Sequence, residues 1–142
     1  MDFKIKDNYT FSDLRAIMEM LRSEDGCPWD REQTHKSIRK DLIEETYEVV
    51  EAIDNDDSHL LCEELGDLLL QVAFHSRISE EAGEFNIDDV ADGICKKLIL
   101  RHPHVFGEVK VSDSGEVLDN WEKIKKEEKQ RNTLSDKNSN FA

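Results

Sequence analysis

The sequence predicts an all-α fold, a bundle-like module of four to five helices. Three observations lead to the helices. Apolar residues recur at i, i+3, i+4 and i+7 rather than alternating. The 142 residues include only 2 Pro and 6 Gly. Charged residues are 37% of the chain against the usual ~25%, which suits long helices with charged outer faces. Period-two alternation is confined to Val109 to Val111, too short to seed a sheet.

The first helix is expected to begin at Ser12, a good N-cap, and to run to about Arg22. Leu14, Ile17, Met18 and Leu21 form its single apolar stripe. A loop from Ser23 to Gln33 follows, carrying the turn formers of EDGCPWD. The second helix starts near Thr34 and ends around Asp54, and NDDS makes a short turn. Ser58 then caps a third helix that lasts until Gly83, a C-terminal stop. The fourth runs from Asp88 to about Arg101, where Pro103 prevents continuation. After the loop HPHVFGEVKVSDSG, Leu118, Trp121 and Ile124 mark one side of a fifth helix. From Glu127 the chain is charged and then Asn/Ser-rich, so one domain over 1–130 and a flexible tail over 131–142 are expected.

Composition narrows the function. Asp and Glu number 33 against 19 Lys and Arg, a formal charge of −14. Such a chain repels nucleic-acid polymers and anionic membranes, although a bound divalent cation can reverse the local field for a small anion. No apolar run approaches the ~18 residues of a membrane span. The opening MDFKIKDNYT lacks the apolar core of a secretory signal, so a cytoplasmic location is expected. Cys27, Cys62 and Cys95 read as small buried thiols.

The carboxylates carry the chemistry. On a helical wheel, Glu45 falls in the middle of the second helix's core-facing stripe of Ile38, Leu42, Val49, Ala52 and Ile53. Glu48 sits at the edge of that stripe, while Ile43, Tyr47 and Val50 form a second apolar strip. The third helix is apolar nearly all round, as in the middle of a bundle, and is interrupted by Glu64, Asp67 and Gln71 on one polar strip. The short turn makes the two helices antiparallel, so the acid pairs can face each other. Two carboxylates about 4 Å apart repel by about 4 kcal/mol at an effective dielectric near 20. Clustered hard oxygen ligands are what Mg²⁺ or Mn²⁺ selects. Solvated acids on an acidic protein are the bland alternative. A di-iron bundle needs two E-x-x-H pairs, and only Glu32 to His35 has that spacing.

EETYE (Glu44 to Glu48), fifteen residues, then ELGD (Glu64 to Asp67) resembles the E-E-x-x-E … E-x-x-D signature of MazG-type nucleoside triphosphate pyrophosphohydrolases. GCPWDREQTH, GDLLLQVAFH and RHPHVFG agree, and the similarity extends from about Phe11 to Lys129. The resemblance implies an all-α homodimer that converts a nucleoside triphosphate and water to the monophosphate and pyrophosphate. It implies Mg²⁺ held by Glu45, Glu48, Glu64 and Asp67, with Mn²⁺ as a substitute. Glu44 and Glu45 become the catalytic acids, Glu44 serving a second ion or the attacking water. Lys97, Arg101, Trp121 and Lys125 become the groups around the substrate's phosphates.

Blander roles stand beside these. Lys97 and Arg101 suit a helix C-terminus by charge alone, Trp121 suits a core or dimer anchor, and Trp29 a packed loop. His102 and His104 suit a rigid turn around Pro103, and His75 a satisfied core histidine. A nucleotide- or metal-sensing module acting through a protein partner is the competing function. The full set of acids and cations favours the enzyme.

Overall fold

The structure is a computed structural model that describes residues 3–138, with side chains described to residue 130. All regular elements among the described residues are helices: α1 (Phe11–Leu21), α2 (Pro28–Glu32), α3 (Arg39–Asp54), α4 (Ser58–Glu81), α5 (Ile87–Arg101), α6 (Pro103–Phe106) and α7 (Ser114–Asn138). The chain falls into two compact units, Met1–Val90 and Ala91–Ala142.

The five expected helices are present, and the differences lie at their ends. Thr10, not Ser12, begins α1, because Thr10 and Asp13 exchange the two bonds of a capping box. Asp57, not Ser58, caps α4, its carboxylate accepting the Leu60 N–H at 3.0 Å. Asn86, not Asp88, precedes α5 and shares reciprocal bonds with Asp89. Each time the residue with the right reach lies one or two positions upstream. Gly83 stops α4 as expected, at φ +72, a conformation that suits a residue without Cβ. Both proline-bearing loops hold a short helix, with Pro28 and Pro103 in the first turn where the missing N–H costs nothing. Residues 34–38 form a turn rather than the start of α3, as Ser37 and Thr34 bond to each other instead. Helix α7 runs on through 131–138, and 139–142 of the expected tail lie outside the described residues.

In the first unit, α4 packs against both α1 and α3. Met18, Ile38 and Phe74 are its buried centre, with Leu21, Leu70 and Ile78 against them. Fully burying a side chain of this size contributes ~1.5–3 kcal/mol. Arg22 ties the following loop down: it pairs with Glu81 at 2.9 Å, donates to the Asp30 and Gln33 carbonyls, and lies over the Phe74 ring. His35 and His75 stack with centroids 5.1 Å apart and share a 2.8 Å Nδ1–Nδ1 hydrogen bond.

Two burial expectations fail. Helix α4 is not covered all round, for Leu65, Leu69 and Val72 are exposed, as are Ile43, Tyr47 and Val50 on α3 and Ile53 at its end. One chain has too few helices to cover them. Cys62 and Cys95 are likewise exposed, and Cys27 is half-buried. No helix of the described residues is long and apolar enough to cross a membrane.

Candidate metal centre and a basic groove

The three-residue link between α3 and α4 turns the chain back sharply, with Asp56 at φ +52. The two helices pack together and bring the acids of both into one place. Glu45, Glu48, Glu64 and Asp67 each offer a carboxylate oxygen, and these oxygens lie within 4.8 Å of one another. Glu45 and Glu64 are half-buried, and an oxygen of each is shut from solvent with no hydrogen-bond partner among the described residues. Gln71, one turn beyond Asp67, is buried with its Oε1 also unpartnered.

The electrostatics follow from this crowding. A hydrogen bond to the Glu48 carboxylate, desolvation and the surrounding negative charge push Glu64 up to about 7. Desolvation first, then Glu48, raises Glu45 above the usual carboxylate range. Acids raised in this way hold protons or accept a cation. Four hard oxygen donors, two of them buried and unpartnered, fit a divalent cation such as Mg²⁺ or Mn²⁺. Glu44 is not in this group; it is exposed on α3, with Lys40 Nζ 3.9 Å away.

The expected phosphate-binding residues lie in the second unit. Lys97 and Arg101 of α5 and Lys125 of α7 line a groove of about 410 Å³, with Lys126, Lys129, Glu122 and Glu128. Lys125 Nζ sits 5.4 Å from the centroid of the Trp121 ring, whose indole N–H is buried with no partner among the described residues. Arg101 is bound by Glu128. Nothing in the acid pattern of the sequence singles out Glu128, although it lies three residues after Lys125 and seven after Trp121, on the same helical face.

His75 is not the satisfied core histidine expected: it is a half-buried member of the stacked pair, its Nε2 is buried with no partner among the described residues, and desolvation and His35 lower its pKa. His102 donates from Nδ1 to the Leu98 carbonyl at 2.6 Å and leads into α6. Trp29 is exposed.

Fold and site define an all-α protein with a four-carboxylate cluster fit for a divalent cation. The chain belongs to the MazG family: residues 33–106 match the model of the MazG nucleotide pyrophosphohydrolase domain. It is 54% identical over 121 residues to the uncharacterized protein YabN of Bacillus subtilis, covering 85% of this chain and 25% of that one. It is 52% identical over 119 residues to the nucleoside triphosphate pyrophosphohydrolase/pyrophosphatase MazG of Thermotoga maritima, covering 84% and 45%. The chain thus spans a quarter to about half of the curated relatives it matches. Among solved structures, a mazG-related protein from Thermotoga maritima superposes with a TM-score of 0.67 at 28% identity, over 81% of this chain and 98% of that one.

Proposed function

We propose that this chain is a divalent-cation-dependent nucleoside triphosphate pyrophosphohydrolase that uses Mg²⁺, with Mn²⁺ as a substitute. The reaction cleaves the α–β anhydride with water to give a nucleoside monophosphate and pyrophosphate, in keeping with the clearance of excess or non-canonical nucleotides. One observation carries it: four carboxylates converge from α3 and α4, inside the family-matched segment, with two oxygens buried and unpartnered.

Glu45, Glu48, Glu64 and Asp67 hold the cation, which supplies Lewis acidity at the phosphate oxygens when bound. A cation bound among these crowded acids would compete with protons for their oxygens. Glu44, outside the cluster but next to Glu45, orients the attacking water and accepts its proton. Lys97, Arg101 and Lys125 take the charge of the departing pyrophosphate, since phosphoryl transfer is mostly positioning and neutralisation. Trp121 steadies Lys125 from below through its ring face.

Homodimerisation belongs to the same proposal. Ile43 is 52% and Tyr47 71% exposed, and with Val50 they form a stripe on α3, while Leu65, Leu69 and Val72 of α4 are exposed as well. A second copy of this pair of helices covers such a face with a matching one.

The test is product analysis with a panel of ordinary and damaged nucleoside triphosphates, in Mg²⁺ or in EDTA. Monophosphate with pyrophosphate in Mg²⁺ alone is expected. Diphosphate with phosphate would redirect the reading to another hydrolase class, and binding without turnover would favour a sensing module.

A further inference from the structure

Arg101 ends α5 with its guanidinium already engaged. Its Nη2 donates to Glu128 Oε2 at 2.9 Å, and its Nε to Oε1 at 3.4 Å. The two side chains are only 19% and 16% exposed. A guanidinium has two edges that can each serve an oxyanion with two donors, the lateral Nε/Nη2 edge and the terminal Nη1/Nη2 edge. Glu128 takes the lateral edge. Nη1 has no part in that pairing.

The same groove is rich in cations. Arg101, Lys97, Lys125, Lys126 and Lys129 outnumber Glu122 and Glu128 along its lining. Its charge therefore favours an anion even with Glu128 in place. We propose that Glu128 is a positioning residue of the phosphate groove: holding Arg101 by its lateral edge, it fixes the plane of the guanidinium and leaves the terminal edge to receive phosphate oxygens. This rests on reading the groove as the phosphate site.

The rival role for a carboxylate in a basic groove is a competitor that the phosphate must displace. The two roles differ in sign. A competitor's removal tightens anion binding. A positioning residue's removal weakens it, because a mostly buried guanidinium without its partner loses the single orientation that bidentate recognition needs. Side-on engagement and shared burial favour the second.

Calorimetric titration with inorganic tripolyphosphate in EDTA isolates the groove from the acid cluster. Glu128→Ala is expected to weaken binding on the order of tenfold, about the effect of one hydrogen bond to a charged group. In Mg²⁺ the same variant should lower kcat/KM for a nucleoside triphosphate by a similar factor, the loss of an interaction that lasts into the transition state. Glu128→Gln, which keeps one acceptor, should fall between wild type and Glu128→Ala, and it carries the test if Glu128→Ala does not fold.

The double variant Arg101→Ala/Glu128→Ala should bind no worse than Arg101→Ala alone, since Glu128 acts through Arg101. Tighter or unchanged binding in the Glu128 variants, with Arg101→Ala clearly weakened, would overturn this inference alone. An additive double variant would do the same. Unchanged binding in Arg101→Ala itself would overturn the phosphate reading of the groove and this inference with it.

Discussion

The two units of the chain treat charge in opposite ways. In the first, through Val90, four carboxylates crowd together and two of their oxygens are buried with no partner among the described residues. In the second, from Ala91, cations line the groove, yet Arg101 already has Glu128 and Lys125 already has the Trp121 ring. The negative site is left open to an external cation, and the positive site is held in shape by its own residues. The difference has a physical origin. A divalent ion neutralises several carboxylates at once and arrives with its ligand geometry, so the protein need only bring oxygens together. Arg and Lys are long and carry ~2 kcal/mol of rotamer entropy each, so a phosphate site gains from anchoring them beforehand.

The acid cluster should break first and hardest. Glu45→Gln and Asp67→Asn are each expected to lower kcat/KM by more than about 100-fold, above the loss usual for groups that merely support a metal ligand. Circular dichroism should show the helices retained, since α3 and α4 lose a charge and no apolar packing. Full turnover in either variant would end the site assignment. Glu44→Gln should lower kcat by about 100-fold, the lower end for a proton acceptor. It should leave cation affinity unchanged, which separates Glu44 from the four ligands.

Smaller effects are expected on the basic side. Lys97→Ala or Lys125→Ala should lower kcat/KM by about tenfold, the loss of one charge-assisted hydrogen bond. Neither should alter the Mg²⁺-induced shift in melting temperature. A lost shift would mean that the two sites are not separable as described.

The smallest effect is in pH. Glu64 is raised in the folded chain from an ordinary 4.5 to about 7, and Glu45 is raised as well. A raised folded pKa means that the folded state binds the proton more readily than the unfolded state. Its contribution to stability is complete below about pH 4.5 and is lost as pH climbs through 7. Without metal, these groups should therefore lower the melting temperature between pH 5 and pH 8, roughly the window spanned by the folded and unfolded values. Mg²⁺ at a hundredfold excess over its Kd should restore about 2.7 kcal/mol. Its stabilisation should be clearly larger at pH 8 than at pH 5.5, where protons compete. Scanning calorimetry at both values, with Mg²⁺ or EDTA, decides this.

Legibility differed between helix interiors and helix ends. Glu45, Glu48, Glu64 and Asp67 were readable because each helix carries its acids at i, i+3, and a three-residue link leaves two neighbouring helices little choice of orientation. The N-caps were misread at all three long helices concerned, Thr10, Asp57 and Asn86 each preceding the residue expected. Several Ser, Thr, Asp and Asn residues compete near each start, and only backbone geometry selects among them. The exposure of Leu65, Leu69 and Val72 was hidden for another reason. Periodicity marks a face as apolar without saying whether the same chain covers it.

From the order of residues alone came the helical architecture and the pairing of acids on two adjoining helices. Those are local consequences of side-chain period and short links. Tertiary structure alone decided that two carboxylate oxygens would be buried without partners. It also brought Arg101 and Glu128, twenty-seven residues apart, into contact with the guanidinium gripped from the side. Burial and contact across such a separation depend on how whole helices meet, and no local pattern encodes that.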